Sequence, residues 1–218
     1  MIPKIQLAMD TLDRDQALWL AQQCSPFIDI LEAGTPLIKS TGIGIVTTLK
    51  KLYPDKLILA DLKSSDVGAY EANMAFEAGA DVVTTQGITT YATICEVQKQ
   101  ADQWKRRAEV DMTGVIDPVK RAEEVKKANV SLVLYHRSID EETTIGARWD
   151  EKACETVGKL AALGMDVAIA GGVNLEVIPL LEKFNLYGIV VGRGITAQTD
   201  PMKAAREIHA LVNNIWKK

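Results

Sequence analysis

Opposite charges stand close together in the segment Asp61-Leu62-Lys63-Ser64-Ser65-Asp66, which follows an apolar run at residues 57–60. On an extended backbone, residues two apart point the same way, so Asp61 and Lys63 are predicted to share one side. Each charge then favours the ionised form of the other, which leaves an ammonium group and a carboxylate for catalysis. The structural alternative is a surface ion pair, with Asp66 as the N-cap of the next helix.

A further carboxylate, that of Glu32, ends the apolar stretch at residues 27–31. A carboxylate buried there without a partner is costly, and a divalent cation shared with Asp61 would compensate it. Two carboxylates with substrate oxygens and water suit Mg²⁺. The alternative for Glu32 is hydrogen bonding to backbone amides. Asp10 and Asp111 also follow apolar runs and are predicted to orient the lysine or the metal ligands, unless they only cap helices.

The remaining candidates are a histidine and two glycine-containing loops. His136 ends another apolar run and is suited to proton transfer near neutral pH, with a purely structural histidine as the alternative. Gly171-Gly172 and Gly192-Arg193 also follow apolar runs. Glycine lets backbone N–H groups approach an anion and arginine adds a charged donor, so the two loops together predict a site for a phosphate monoester.

The apolar runs predict the strands that must position these groups. Most are continuous rather than alternating, which indicates strands buried on both faces, as in a parallel sheet covered by helices. Eight strands are predicted, at residues 5–9, 27–31, 57–60, 81–85, 108–112, 131–135, 166–170 and 187–191. Eight helices are predicted between and after them, at residues 12–24, 39–52, 66–78, 90–104, 118–128, 150–163, 175–184 and 201–216.

One strand–helix unit recurs about every 27 residues, the pattern of a (β/α)8 TIM barrel at the short end of its size range. The α/β alternative is an open doubly wound sheet, which usually has fewer strands at this length. With no linker or composition break, the sequence predicts one domain over residues 1–218. In a barrel, the candidate residues would all lie at the carboxyl ends of the strands, where active sites of this fold are built.

Composition excludes several classes of protein. The 218 residues are 47% hydrophobic and 25% charged, which is typical of a globular chain, and the formal charge of −4 offers no basic surface for nucleic acid. No apolar run is long enough for a transmembrane helix, so no membrane association is expected. The cysteines Cys24, Cys95 and Cys154 are widely spaced and odd in number, which fits a reducing cytoplasm.

Taken together, Asp61-x-Lys63-x-x-Asp66, Glu32-Ala33-Gly34-Thr35, His136 and the two glycine loops resemble the orotidine 5′-monophosphate decarboxylase suprafamily. The chain is most similar to the branch that holds 3-hexulose-6-phosphate synthase and 3-keto-L-gulonate-6-phosphate decarboxylase. The similarity runs essentially end to end.

The resemblance implies a Mg²⁺-dependent carbon–carbon lyase that acts on a phosphosugar through a cis-enediolate. The carboxylates matching Glu32 and Asp61 would bind the metal, and the metal and Lys63 would stabilise the enediolate. His136 would handle protons. The resemblance further implies a homodimer in which Asp66 is contributed to the site of the partner chain.

Specific positions separate the two activities of this branch. Asp111, Ile139 and Ala170 are similar to the synthase pattern, whereas Tyr135-His136-Arg137-Ser138 and Arg193 are similar to the decarboxylase pattern. We weigh the first group more heavily and favour the synthase reaction, the aldol addition of ribulose 5-phosphate to formaldehyde. The decarboxylase is the alternative. A non-catalytic phosphosugar-binding barrel is a remote one, because it could dispense with the lysine and the carboxylates.

Overall fold

A computed structural model describes residues 1–217 and shows eight parallel strands closed into a barrel in sequence order. The strands are β1 (Lys4–Met9), β2 (Ile30–Ala33), β3 (Leu57–Ser64), β4 (Val82–Gln86), β5 (Arg107–Asp111), β6 (Leu132–His136), β7 (Asp166–Ala170) and β8 (Gly188–Val191). β1 pairs with both β2 and β8, which closes the ring. The predicted (β/α)8 barrel is therefore confirmed.

Helices connect the strands and cover the outside of the barrel. They are α1 (Arg14–Cys24), α2 (Thr35–Thr41), α3 (Gly44–Leu52), α4 (Gly68–Glu77), α5 (Tyr91–Trp104), α6 (Pro118–Lys126), α7 (Ile139–Ile145), α8 (Glu151–Ala162), α9 (Arg193–Thr196) and α10 (Pro201–Trp216). Single 3₁₀ turns form at Ser25–Phe27 and Ile178–Leu181. No helix within residues 1–217 combines the length and apolar character that crossing a bilayer requires.

Burial on both faces explains why the strands read as continuous apolar runs. Outward-facing side chains such as Leu7, Leu31 and Val83 pack against the helices in a large buried cluster. Inward-facing side chains such as Leu132 and Ala168 form a smaller buried cluster inside the barrel. The polar exceptions on the inner face are the residues that build the site described below.

Charged and aromatic side chains cluster at the amino-terminal end of the barrel. Lys4 Nζ lies 5.1 Å and the Arg107 guanidinium 4.6 Å from the centre of the Tyr187 ring, both within cation–π range. Arg107 also pairs with Asp166 at 2.7 Å. This group of four residues is called the barrel plug.

Several element boundaries differ from the sequence-based prediction. β2 was predicted at residues 27–31 but begins at Ile30, because the chain first makes the proline-containing turn Ser25–Phe27. The predicted helix over residues 39–52 is two helices, α2 and α3, separated at Gly42, whose φ of +76° does not continue a helix. The segment 175–184 contains the 3₁₀ turn Ile178–Leu181 rather than a full helix.

The structural alternative for Asp66 is also corrected. Asp66 does not cap α4: its Oδ1 accepts a hydrogen bond from the backbone N–H of Val67 at 2.8 Å, and the helix begins after Val67, at Gly68. Of the three free cysteines, Cys24 is buried, whereas Cys95 and Cys154 are half-buried.

Candidate active site

A cavity of about 850 Å³ opens at the carboxyl ends of the strands. Most of the residues that the sequence analysis selected line it, although they come from several different strands or the loops after them. These are Asp10, Glu32, Asp61, Lys63, His136, Gly171, Gly172, Gly192 and Arg193. Asp111 contacts Lys63 and His136 from directly beside them.

Asp61 and Lys63 meet at the mouth of β3, but not on regular extended backbone as predicted. The pairing of β3 with β4 is irregular between Ala60 and Ser64, and Lys63 has a left-handed φ of +48°. Non-glycine residues pay a strain energy of about 1–3 kcal/mol in such a conformation, which is found most often at functional sites. Here Thr84 supports it, because its Oγ1 accepts from the Lys63 backbone N–H at 2.9 Å.

The carboxylate of Asp61 is held by three donors. Lys63 Nζ contacts Oδ2, Thr35 Oγ1 donates to the same oxygen at 2.7 Å, and Thr84 Oγ1 donates to Oδ1 at 2.7 Å. Asp61 is also only 4% exposed. The network fixes the carboxylate in one orientation and leaves a lone pair of Oδ1 for a further ligand.

Lys63 stands between two carboxylates, since its Nζ also lies 3.4 Å from Asp111 Oδ2. Burial favours a neutral lysine, but Asp61, Asp111 and Glu32 outweigh it and raise the pKa of Lys63 above its ordinary value. The ammonium group is therefore held charged at neutral pH.

Asp111 links the lysine to the histidine. His136 Nδ1 lies 3.0 Å from Asp111 Oδ2, and Thr113 donates to Oδ1 from its backbone at 2.8 Å and its hydroxyl at 2.6 Å. Burial alone would raise the pKa of Asp111, but His136, Lys63 and the Thr113 hydrogen bond lower it below the ordinary value. A carboxylate that stays ionised can orient the imidazole ring.

Glu32 and Asp10 complete the acidic part of the site. Glu32 is buried in β2 and its Oε2 accepts from Gln6 Nε2 at 2.7 Å. Burial, with repulsion from Asp61 and Asp10, raises the pKa of Glu32 well above its usual range. Asp10 is exposed at the rim, where partial desolvation and Asp61 raise the pKa of its carboxyl. Gly34 is required beside it, because a Cβ there would collide with Asp10 Oδ1.

The donor set fits a magnesium ion. No group of three or more His, Cys, Asp or Glu side chains within residues 1–217 is arranged to hold a metal alone. Glu32 and Asp61 instead supply two hard oxygen donors to one cavity, and water and substrate would complete the ligands, as is common for Mg²⁺.

The glycine loops also line the cavity. Gly171 and Gly172 have φ values of +88° and +64°, and a Cβ at Gly171 would overlap the Arg137 carbonyl oxygen. Trp149 Nε1 donates to the Gly171 carbonyl at 2.8 Å and holds this loop in place. The loop after β8 presents Gly192 and Arg193 to the same space.

Asp66 is not brought to this site. It is exposed and falls outside the set of described residues that line the cavity. Its neighbours Val67 and Tyr70 are large hydrophobic residues that are nevertheless 61% and 85% exposed.

Sequence reasoning missed several side chains that support the site. They are the hydrogen-bonding partners Gln6, Thr35, Thr84 and Thr113, the buried Glu109 and the Arg193 partner Glu142. The position of Glu109 could have been predicted from the sequence, because it lies two residues before Asp111 on the same face of β5. The others needed knowledge of which strands are neighbours.

Comparison with known proteins identifies the family to which the chain is similar. Residues 3–208 match the orotidine 5′-phosphate decarboxylase / HUMPS family. The 3-hexulose-6-phosphate synthase of Mycobacterium gastri is 37% identical over 209 residues, covering 96% of this chain and 99% of the relative. The 3-keto-L-gulonate-6-phosphate decarboxylase UlaD of Escherichia coli O17:K52:H18 is 31% identical over 215 residues, covering 99% of both chains.

Solved structures of both kinds of enzyme superpose well on this fold. A crystal structure of 3-hexulose-6-phosphate synthase has a TM-score of 0.91 at 36% identity, covering 95% of this chain and 99% of that one. A crystal structure of KGPDC from Streptococcus mutans, solved as a ligand complex, has a TM-score of 0.94 at 30% identity, covering 99% of this chain and 100% of that one. The chain belongs to the orotidine 5′-phosphate decarboxylase / HUMPS family.

Proposed function

We propose that this protein is a Mg²⁺-dependent carbon–carbon lyase that acts on a phosphosugar through a cis-enediolate, as a 3-hexulose-6-phosphate synthase. The observation that carries the proposal is Lys63, held charged between Asp61 and Asp111 in the cavity that also contains Glu32 and the two glycine loops. The sequence similarity to named synthases at 36–37% identity supports the same reaction.

Each group of side chains in the cavity has a separate role in the proposed reaction. Glu32 and Asp61 would hold Mg²⁺, which when bound supplies electrophilic stabilisation of the substrate oxygens. Lys63 adds a fixed positive charge where negative charge develops during enediolate formation. His136, whose Nδ1 faces Asp111, has Nε2 left to exchange a proton with the substrate. Gly171, Gly172, Gly192 and Arg193 would bind the phosphate.

The alternative function is 3-keto-L-gulonate-6-phosphate decarboxylase. Arg137 favours it, because the guanidinium lies beside Gly172 and could assist proton return to an enediolate formed by loss of CO₂. Ile139 in the same segment has no such ability. A non-catalytic barrel would not need the buried charges of Asp61, Glu32 and Asp111, which are costly to keep.

A direct comparison of substrates tests the proposal. With Mg²⁺, we expect faster turnover of ribulose 5-phosphate plus formaldehyde than of 3-keto-L-gulonate 6-phosphate, measured by product formation under matched conditions. Chelation with EDTA should abolish turnover and Mg²⁺ should restore it. A rate advantage of about tenfold or more for the keto acid would reverse the ranking, since that ratio corresponds to about 1.4 kcal/mol in barrier height.

We also propose a homodimer in which Asp66 completes the site of the partner chain. Asp66 is exposed outside its own cavity and is followed by the exposed apolar residues Val67, Tyr70 and Met74. Ile88 and Ile116, on the neighbouring loops at the same end of the barrel, are 60% and 102% exposed. An apolar surface of this kind around a functional residue is typical of a subunit interface.

Subunit mixing distinguishes a shared site from a self-contained one. Lys63→Ala and Asp66→Asn homodimers should each be nearly inactive. Random reassortment of an equal mixture should restore about a quarter of wild-type activity, because half of the dimers are mixed and each has one intact site. Mixtures that stay inactive, or a fully active Asp66→Asn variant, would contradict the shared site. Size-exclusion chromatography with light scattering verifies that both variants are dimers.

We propose the cytoplasm as the location of the protein. The three cysteines are free, and a reducing compartment would keep them so.

A further inference from the structure

A carboxylate of the chain itself lies over the proposed phosphate site. Glu142 Oε2 is 3.3 Å from Arg193 Nη2. The same oxygen is 2.9 Å from the point where a Cβ on Gly172 would stand, so it lies directly above the glycine loop. Glu142, Gly172 and Arg193 all line the cavity. The residues proposed to bind the substrate phosphate, Gly172 and Arg193, are therefore in contact with the carboxylate of Glu142.

A second guanidinium faces the same point. Arg137 Nη1 is 3.6 Å from the Cβ position of Gly172. Arg137 Nη2 is buried and has no hydrogen-bond partner among residues 1–217. A buried donor without a partner is costly, so the Arg137 guanidinium has a donor that a bound anion could use. Arg193 and Gly172 thus line the place that Glu142 occupies, and the Arg137 guanidinium lies beside Gly172.

The helix that carries Glu142 is weakly attached to the barrel. None of the seven described residues of α7 is buried, and three consecutive acidic residues, Asp140, Glu141 and Glu142, occupy its first turn. A segment without buried apolar contacts opens at little cost in free energy. Displacing Glu142 from Arg193 therefore does not require the barrel to change.

We propose that Glu142 occupies the phosphate position in the ligand-free protein and that a phosphate ester binds by displacing it. The inference rests on the proposed phosphate site and makes Glu142 a determinant of affinity for that site. A phosphate dianion and the Glu142 carboxylate cannot share Arg193 and Gly172 without strong repulsion. Binding of the ester consequently requires the Glu142 carboxylate to leave Arg193.

Inorganic phosphate is the probe for this competition, with its Kd measured by isothermal titration calorimetry at fixed ionic strength. Glu142→Gln should lower the Kd by about three- to tenfold, since it removes both the ion pair and the repulsion. Glu141→Gln is the matched control. Glu141 is the preceding residue, its side chain is exposed, and its replacement removes the same charge. It should leave the Kd within about twofold of wild type.

Each other outcome overturns the inference in a recognisable way. Equal tightening by Glu141→Gln and Glu142→Gln would mean that only net charge matters. Weaker binding by Glu142→Gln would mean that Glu142 positions Arg193 for the ligand. The Arg193→Ala variant separates these results from failure of the site itself: if it binds phosphate as wild type does, the proposed phosphate site is wrong as well.

Discussion

Replacement of Lys63 by alanine should lower kcat/KM by about 10³-fold or more while phosphosugar binding persists. Loss of one neutral donor to a developing oxyanion typically costs about 10²–10³ in kcat. Lys63 is a charged donor, and Asp61 and Asp111 hold it in its charged form. Its removal also leaves two buried carboxylates facing each other, so the electrostatic balance of the site is lost as well as the donor.

Steady-state kinetics and calorimetric binding of the phosphosugar check this expectation. Lys63→Arg keeps the charge but not the compact ammonium group and should bind substrate with little turnover. Lys51→Ala is the control, because Lys51 is an exposed lysine on α3. Far-ultraviolet circular dichroism shows whether the variants are folded. If a folded Lys63→Ala variant and an Asp61→Asn variant both keep wild-type turnover, the assigned site is wrong.

Glu109 should make the protein less stable as the pH rises. Its side chain is 1% exposed, and neither carboxyl oxygen has a hydrogen-bond partner within residues 1–217. Burial, with repulsion from Asp111 and Asp61, raises the pKa of Glu109 from 4.5 to about 8. The folded protein then holds one more proton than the unfolded chain between these pH values, so its stability falls across that interval.

The Glu109→Gln variant should remove this pH dependence. Glutamine resembles the protonated acid and cannot ionise, so the variant should match wild type near pH 4.5 and exceed it by on the order of 4–5 kcal/mol above pH 8. Urea unfolding in metal-free buffer between these limits measures the difference. Glu123→Gln, at an exposed position on α6, should not alter the slope. Parallel curves for wild type and Glu109→Gln would show that Glu109 is ionised throughout.

The strands could be predicted because burial on both faces leaves a direct mark on the sequence. Runs such as residues 166–170 were located without error, since apolar residues fill both faces and glycines follow. The same reasoning placed Glu32, Asp61 and His136 at one end of the barrel, where the structure has them. Boundaries failed where apolar residues serve a turn rather than a strand, as with Phe27 before β2.

Other features depend on contacts that a single segment does not reveal. The pairing of Lys63 with Asp61 was predicted from regular alternation, but the structure achieves it through an irregular β3 and a left-handed lysine. Thr35 and Thr84 hold Asp61 from two other segments of the chain. Helix α7 has no apolar face to produce a periodic signal, so neither it nor the contact of Glu142 with Arg193 was predicted.

The position of the barrel plug indicates the end of the barrel from which ligands reach the site. Lys4, Arg107, Asp166 and Tyr187 cluster at the amino-terminal end of the closed barrel, whereas the cavity that contains the carboxylates opens at the carboxyl ends of the strands. The molecules that the site joins or splits would then enter and leave at the carboxyl ends of the strands, where the cavity opens.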